Sequence, residues 1–299
     1  MNDKELRERI ESCDKILIGL GEEWKLKAEA GVEDSAAWSG EQSQKTQNQK
    51  TQNQKTLSQR ESLLKAYATL HEMIKDKDYF IITMATDALI YDTPLGSQTE
   101  TVTRSAADRK DEAAVTAACS SPSDSATGSS AIDDKTQALM DRLFPVKERP
   151  LDTRWQRIVA PCGNVTWRQC SQGCTKDIWE PGEIPDDRCP HCGAPLTGNT
   201  IDASPYIEEG YLPQWNRYTQ WLTGTLNQNL VILELGTGFA NPGVIRFPFE
   251  KTAFFNQKSY LYRVNETFPQ ITEELKNRAA SVAENSVNWI LDSCQSRRK

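Results

Sequence analysis

LVILELGTG, residues 230–238, has the pattern on which the predicted fold of this 299-residue chain rests. Six mostly apolar residues in a row are typical of a short strand buried on both faces, and a turn with two glycines follows directly. The segments KILI at 15–18 and YFIIT at 79–83 have the same apolar character, and the first runs into the turn GLG at 19–21. A further strand is predicted over 260–264. Each of these strands is expected to belong to a parallel sheet.

Segments with apolar residues at helical spacing separate these strands. One helix is predicted over 63–74, another between 207 and 226, and a closing amphipathic helix within 271–290. A short helix is also predicted before the first strand. Because strands and helices alternate, we predict an α/β fold in which helices cover both faces of the parallel sheet.

Two segments are poor in apolar residues. The pentad KTQNQ occurs twice in tandem at 45–54, inside a polar tract that spans 41–60, and Ser, Asp, Ala and Thr dominate 96–136. Such residues bury little surface that could offset the entropy of ordering the chain. Both segments are therefore predicted to be low-complexity insertions that are disordered or frayed.

Charge and hydropathy exclude several classes of partner. The chain has 35 Lys and Arg against 42 Asp and Glu, a net charge of −7, with no basic block beyond its last three residues, so no nucleic acid is expected. Its apolar runs are far shorter than the ~20 residues that a membrane-spanning helix needs, and no membrane is expected. The charged start MNDKELRERI lacks the apolar core of a signal peptide. These features predict a cytoplasmic protein.

Four of the eight cysteines form two closely spaced pairs. Three residues separate Cys170 from Cys174, two separate Cys189 from Cys192, and fourteen lie between the pairs. Two such knuckles can hold one zinc ion tetrahedrally at ~2.3 Å, and a closed set of four thiolates leaves no position for a catalytic water, so the predicted zinc is structural. The alternative, four ordinary free thiols, explains the paired spacing less well. His191 is expected to face solvent.

The turns after the predicted strands offer a place for a nucleotide. The carboxyl ends of parallel strands form a crevice where backbone amides and small side chains can approach phosphate and ribose. The candidate turns are 19–21, 83–87 and 236–238. Glu22 and Glu23 follow the first turn, however, and place two carboxylates where a pyrophosphate is expected. A tight turn before a solvated acidic helix start is an equally good interpretation of that turn.

Several stretches together resemble sirtuins, specifically the bacterial branch associated with macrodomain proteins. The stretches are KDKDYFIIT at 75–83 with Asp87 beyond it, the four cysteines, LELGTGF at 233–239, NPGVI at 241–245, and Asn265 at the end of a strand. The resemblance covers about residues 60–95 and 155–270. It implies a single sirtuin-type domain over 1–299.

The sirtuin fold consists of a Rossmann-like domain and a small zinc module, with NAD bound between them. On this resemblance the Rossmann-like lobe comprises 1–95 and 228–299, and the zinc module with the small lobe comprises 155–227. The residues that the resemblance implies for NAD binding are Gly19, Gly21, Glu22, Thr83, Gly236, Thr237, Gly238, Asn241 and Asn265.

The resemblance also implies an activity and its partners. Sirtuins use NAD to remove acyl groups from lysine, and the macrodomain-linked branch looks adapted to transfer ADP-ribose to a lipoylated carrier protein. NAD and structural zinc are therefore the implied cofactors. An acylated or lipoylated protein is the implied substrate, and a macrodomain protein is the implied partner.

The chain departs from the family pattern at the nucleotide turns. The family has Gly-Ala-Gly followed by a small residue, whereas residues 19–24 read GLGEEW. The family's Thr-x-Asn-x-Asp becomes Thr83-Met84-Ala85-Thr86-Asp87, which keeps the threonine and the aspartate but lacks the asparagine beside the nicotinamide ribose. The phosphate loop is thus altered.

A further departure concerns the catalytic base. Where sirtuins have a histidine before a glycine, this chain has Cys162 before Gly163, and its two histidines, His71 and His191, lie elsewhere. If the chain is an enzyme, Cys162 is expected at the acid–base position and Asp87 at the nicotinamide end. The structural alternatives are a buried packing cysteine and an aspartate that forms a turn.

Two classes of function remain open at this point. The first is an NAD-dependent transferase, either a protein ADP-ribosyltransferase or a lysine deacylase, with ADP-ribosyl transfer slightly favoured because a good acceptor demands less of the base. The second is a binding module for NAD or ADP-ribose without turnover, or a scaffold on the same fold. A crevice filled by Trp24 or Glu22 would favour the scaffold.

Overall fold

The computed structural model describes residues 3–26, 42–96 and 157–295, which belong to one compact unit. Its strands are β1 (Lys15–Leu20), β2 (Asp78–Thr83), β3 (Ile158–Val159), β4 (Gly163–Cys170), β5 (Ile178–Trp179), β6 (Leu196–Thr200), β7 (Leu230–Leu235), β8 (Tyr260–Val264) and β9 (Ala279–Val282). Its α-helices are α1 (Asp3–Ser12), α2 (Gln42–Ile74), α3 (Leu212–Thr223), α4 (Arg246–Phe255) and α5 (Ser286–Gln295). Short 3-10 helices lie at Glu22–Trp24, Leu89–Asp92, Pro94–Gly96, Glu208–Gly210 and Glu273–Leu275.

Six strands form a parallel sheet in the order β3-β2-β1-β7-β8-β9. This is the order of the doubly wound dinucleotide-binding fold, and its direction reverses between β1 and β7. Leu20 lies opposite both Thr83 of β2 and Leu235 of β7, so the three central strands end level with one another. The sheet confirms the predicted fold class and puts the predicted nucleotide turns along one edge.

Alternate residues of each strand pack against helices on opposite faces. Ile16 and Ile18 belong to a core with α1, α2 and α5, whereas Leu17 belongs to a second core with α3 and α4. All three side chains are fully buried. Because burial of one such side chain contributes roughly 1.5–3 kcal/mol, the alternation fixes the register of the strand between its two layers.

The polar repeat is helical rather than disordered. Helix α2 begins at Gln42 and includes both KTQNQ pentads. Gln and Lys are good helix formers, and neither Gly nor Pro interrupts residues 42–74. The half anchored by the buried residues Leu63 and Tyr67 therefore supplies a nucleus from which the helix extends. Apart from Gly96, the other predicted insertion, 96–136, lies outside the described residues.

Two predicted boundaries were wrong. The predicted closing helix over 271–290 contains the edge strand β9, which pairs with β8, before α5 begins. Gly19 and Leu20 lie inside β1, so the turn starts only at Gly21. A Cβ atom on Gly19 would lie 2.4 Å from Ile245 Cγ2, just before α4. Close packing of this helix therefore explains that glycine.

A second, three-stranded sheet in the order β5-β4-β6 is antiparallel and carries the cysteine pairs at its end. Strand β4 leads directly into the first pair, because Cys170 is its last residue. Within the described ranges, no helix combines the length and the apolar character needed to cross a bilayer.

Candidate functional site

The four cysteine sulfurs form a compact cluster. All four Sγ atoms of Cys170, Cys174, Cys189 and Cys192 lie within 4.8 Å of one another. The Sγ atoms of Cys170 and Cys192 are 3.5 Å apart, and those of Cys174 and Cys189 are 3.4 Å apart. Tetrahedral zinc with Zn–S bonds of ~2.3 Å requires sulfur separations of about 3.8 Å. The cluster therefore fits one structural zinc ion, as predicted.

Local turns bring the two pairs together. Gly193 has a φ of 74°, in the left-handed region, and its N–H donates to the carbonyl of Cys189 at 2.8 Å. This tight turn brings the pair Cys189 and Cys192 toward the pair Cys170 and Cys174. His191 within it is exposed, and its Nε2 lies 2.8 Å from Asp177 Oδ2. The imidazole therefore faces solvent, as predicted, and has Asp177 as its partner.

The turns after β1 and β7 pack directly on each other. The Gly21 N–H donates to the Leu235 carbonyl at 2.8 Å, and a Cβ on Gly21 would lie 2.4 Å from the Gly236 oxygen. Gly236 has a φ of 68°, and its Cβ would lie 2.5 Å from Glu23 Cβ. These two predicted NAD-binding glycines are thus required by contact between the turns, whatever ligand binds there.

Glu22 links the two turns through its carboxylate. Its Oε2 accepts a hydrogen bond of 2.6 Å from the Gly238 N–H. Its Oε1 is buried and accepts no hydrogen bond from any described residue, and Thr237 Oγ1 is in the same situation. Glu22 as a whole is half-buried, and Phe239, the residue after Gly238, is 51% exposed. The carboxylate holds an amide that a phosphate could otherwise use.

The two residues after Glu22 have structural roles. Glu23 Oε2 accepts from the backbone N–H and the hydroxyl of Ser286, both at 2.6 Å, and its Oε1 accepts from the Glu266 N–H at 3.0 Å. It therefore holds the start of α5, where a carboxylate is favourable. Trp24 is fully buried, its ring lies 5.0 Å from that of Tyr67 at a tilt of 46°, and its Nε1–H donates to Ser286 Oγ. Trp24 belongs to the core and does not fill the crevice.

The polar residues after β2 bind the backbone. Thr83 Oγ1 accepts from the Ala85 N–H at 3.1 Å. Asp87 Oδ1 accepts from the Leu89 N–H at 3.1 Å, and its Oδ2 accepts from the Leu26 N–H at 2.8 Å. Asp87 therefore forms its own turn and also ties the chain after β1 to the chain after β2. The predicted role at the nicotinamide end stays a prediction.

The asparagines implied for NAD binding differ in environment. Asn265, at the end of β8, is buried, and its Oδ1 accepts from the N–H groups of Thr267 and Phe268 at 2.8 and 2.6 Å. Asn241 is half-buried in the turn before α4, where its carbonyl accepts from the Val244 N–H at 3.1 Å. Asn265 therefore shapes the crevice edge, and Asn241 keeps its side chain partly accessible.

Cys162 is buried immediately before β4. Its side chain is 1% exposed, and its carbonyl accepts from the Ile201 N–H at 2.9 Å. Burial raises the pKa of the thiol; Lys25 opposes this shift, whereas Glu22 and Asp202 add to it. The thiol is therefore protonated at neutral pH, which is not the form that removes a proton. Asp202, an exposed carboxylate that belongs to none of the sequence motifs, lies close enough to influence this thiol.

A buried charge network lies behind the turn after β7. Arg263 pairs with Glu234 at 2.7 Å and with Glu250 at 2.8 Å. Arg246 lies 3.6 Å from Glu234 and donates to the Thr237 carbonyl at 3.2 Å. The sequence contained a signal for this network, because one Glu and one Arg interrupt two otherwise apolar strands. The network fixes the turn that carries Thr237.

Fold and site together define a Rossmann-type α/β protein with a four-cysteine metal centre. No protein-family model matches the chain. Over 142 residues it is 25% identical to a protein ADP-ribosyltransferase of Staphylococcus aureus, a match that covers 41% of this chain and 44% of that protein. The chain thus spans less than half the length of this curated relative.

Solved structures with a similar chain trace include sirtuins, the class that the sequence motifs resemble. One is Sir2 with a p53 peptide and NAD+, at 10% identity and a TM-score of 0.47, covering 100% of this chain and 99% of that chain. Another is Sir2Tm bound to a propionylated peptide, also at 10% identity and a TM-score of 0.47, covering 100% of this chain and 99% of that chain. The strand order and the cysteine cluster define the fold independently of these likenesses.

Proposed function

We propose that this chain is an NAD-dependent, sirtuin-like enzyme that transfers ADP-ribose to an acceptor and releases nicotinamide. The observation that carries the proposal is the crevice at the point where the strand order reverses. There β1 and β7 end side by side, and Glu22 bonds to Gly238 across their turns. Ligands of open parallel sheets bind at this position. The match to a protein named ADP-ribosyltransferase supports the choice of reaction.

Transfer is favoured over lysine deacylation by the lack of a suitable imidazole. The chain has two histidines. His71 lies on α2, and exposed His191 lies 2.8 Å from Asp177 in the zinc module. Burial raises the pKa of Cys162, which makes its thiol a poorer base than an imidazole at neutral pH. A nucleophilic acceptor needs less activation by an enzyme base, so these residues are better suited to ADP-ribosyl transfer than to deacylation.

In this proposal Thr237, Asn241 and Asn265 bind NAD together with Glu22, and zinc holds the second sheet without taking part in the chemistry. The acceptor that we propose is a lipoylated or acylated protein, and the associated partner is a macrodomain protein. Both follow from the sequence resemblance alone.

The decisive experiment follows both products of the reaction. The full chain is incubated with NAD that carries a label on adenine, with a lipoylated carrier protein, the unmodified carrier or an acetyl-lysine peptide. We expect nicotinamide release that matches the label appearing on the lipoylated carrier. Nicotinamide release that instead matches loss of acetyl groups from the peptide would identify a deacylase.

A second candidate function is a binding module without turnover. It is favoured by the Glu22 carboxylate, which already occupies the Gly238 amide at 2.6 Å. A ligand that binds only the folded state raises the melting temperature. A melting shift with ADP-ribose and no nicotinamide release with any acceptor would support the module. Neither effect at millimolar concentration would favour the scaffold.

A further inference from the structure

We propose that Glu22 is a catalytic residue whose free carboxylate oxygen accepts a hydrogen bond from a ribose hydroxyl of NAD, next to the bond that breaks. This inference rests on the proposed function and adds to it the residue that contacts the reacting sugar. It assigns to a carboxylate on the first glycine turn the stabilisation of the positive charge that develops on that sugar.

The first support is the state of the two carboxylate oxygens. Oε2 is fixed by the Gly238 N–H at 2.6 Å, which orients the side chain, while buried Oε1 has no donor among the described residues. A buried acceptor without a partner is unfavourable, because it has lost its hydrogen bonds to water and gained none in the protein. Thr237 Oγ1, on the turn that Glu22 contacts, is also buried and unpaired. A group with two hydroxyls, such as ribose, matches one free acceptor and one free hydroxyl.

The second support is that a phosphate fits this place poorly. A pyrophosphate needs amide donors, but the Gly238 N–H already donates to Glu22. A phosphate beside the carboxylate would also add negative charge next to Arg246, a cation that already interacts with the carboxylates of Glu234, Glu250 and Glu22. The sugar, rather than the pyrophosphate, is therefore the part of the nucleotide that meets Glu22.

The third support comes from the other carboxylates at this edge of the sheet. Both oxygens of Glu23 accept hydrogen bonds, from Ser286 and from Glu266. Both oxygens of Asp87 accept bonds as well, from Leu26 and Leu89. Among the described carboxylates that contact these turns, Glu22 is the one with an unused buried oxygen.

The chemistry follows from where charge develops. The bond between the ribose C1′ and the pyridinium nitrogen breaks, and its electron pair leaves with neutral nicotinamide. A new bond forms between C1′ and the acceptor nucleophile, or water when no acceptor is bound, and the nucleophile's proton passes to solvent. Positive charge develops on the sugar in the transition state, as in glycoside hydrolysis. A fixed carboxylate on a ribose hydroxyl stabilises that charge.

The test compares Glu22→Gln and Glu22→Asp with wild type, using nicotinamide release for kcat and KM, calorimetry with ADP-ribose for Kd, and thermal melting. Glu284→Gln, an exposed site before α5, removes the same charge as a control. Gln can still accept from the Gly238 N–H, so its fold should survive. We expect a fall in kcat of at least about 100-fold for Glu22→Gln, a Kd for ADP-ribose within about tenfold of wild type, and partial recovery in Glu22→Asp.

The outcomes separate this inference from the proposed function. Wild-type turnover with a kcat for Glu22→Gln within about threefold of it would overturn the role of Glu22 and leave the proposed function standing. A lowered melting temperature with unchanged kcat would make Glu22 a structural link only. No nicotinamide release from the wild type would overturn both.

Discussion

Arg263 and Glu234 form a bidentate ion pair inside the parallel sheet, with Nε to Oε1 at 2.8 Å and Nη2 to Oε2 at 2.7 Å. Both side chains are fully buried, and the two residues lie directly opposite each other on β8 and β7. Two fixed bonds between planar groups set the register of these strands as well as their charge balance. The turn that carries Thr237 begins two residues after Glu234, so this pair also holds the crevice in place.

Removal of one partner should destabilise the fold strongly. Arg263→Met leaves Glu234 buried, with Arg246 at 3.6 Å as its remaining cation. Removing one partner of a buried ion pair costs about 3–5 kcal/mol, which we expect as the loss in the free energy of unfolding measured with urea. Lys276→Met, which breaks the exposed pair with Glu273, is the control and should have no measurable effect. Equal losses in the two variants would contradict the importance of the buried pair.

The same variant should change the dependence of stability on pH. Burial raises the pKa of Glu234 in the folded protein above its ordinary value, and the loss of Arg263 raises it further. The folded state then binds more protons than the unfolded state above the ordinary pKa of glutamate. The free energy of unfolding of Arg263→Met should therefore fall as the pH rises from about 5 to 8. Parallel curves for variant and wild type would show that Glu234 keeps its charge.

Metal removal should unfold the second sheet more than it slows any reaction. Because structural zinc contributes folding energy directly, Cys170→Ser or Cys189→Ser should lose the metal and expose the segment to proteolysis. Cys13→Ser, a buried cysteine outside the cluster, should keep the metal. Elemental analysis measures zinc per chain. Less than about half a zinc per well-folded wild-type chain would contradict the assignment.

Much of the fold followed from sequence because the strands carry their own signal. The apolar run LVILEL forms β7 with the predicted boundaries, because a mostly apolar run of this length is typical of a strand buried on both faces. The strand AASV at 279–282 gave no such signal, because an edge strand needs fewer apolar residues and its pairing with β8 is not local. The helical repeat was missed for a related reason. The repeat is helical because it continues a helix whose other half packs on the core, and the composition of the repeat alone does not reveal that continuity.

The metal ligands could be predicted from the sequence, whereas the contacts within the crevice could not, for a physical reason. Four cysteines at knuckle spacing have few uses other than one metal site. A glycine or an asparagine after a strand can have several structural roles besides ligand binding. Gly21 allows two turns to pack together, and the Asn265 side chain accepts a hydrogen bond within its own turn. The hydrogen bond from Gly238 to Glu22 joins residues 216 positions apart. No local pattern could reveal that contact.

Deletion of the tandem repeat should be tolerated. Residues 45–54 lie in the first half of α2, and the packed residues Leu63, Tyr67 and Leu70 all lie in the second half. Removing two pentads should leave the melting temperature and the zinc content nearly unchanged. Leu63→Ala in the packed half is the contrast and should cost about 2–5 kcal/mol. A comparable loss from the deletion would show that the repeat packs on the fold. Deletion of most of 96–131 is predicted to be tolerated in the same way.

The final prediction concerns the two residues that the motifs assign to chemistry. Because burial raises the pKa of Cys162, its thiol stays protonated between pH 7 and 8, and iodoacetamide should label it slowly in the folded protein. Nicotinamide release by Cys162→Ala should then remain within about threefold of wild type. Asp87→Asn removes charge from a side chain that holds Leu26 and Leu89, so it should lower the melting temperature as well as turnover. A loss of 100-fold or more in Cys162→Ala, with an unchanged melting temperature, would instead establish Cys162 as the acid–base residue. Turnover that survives both substitutions would exclude both residues from the mechanism.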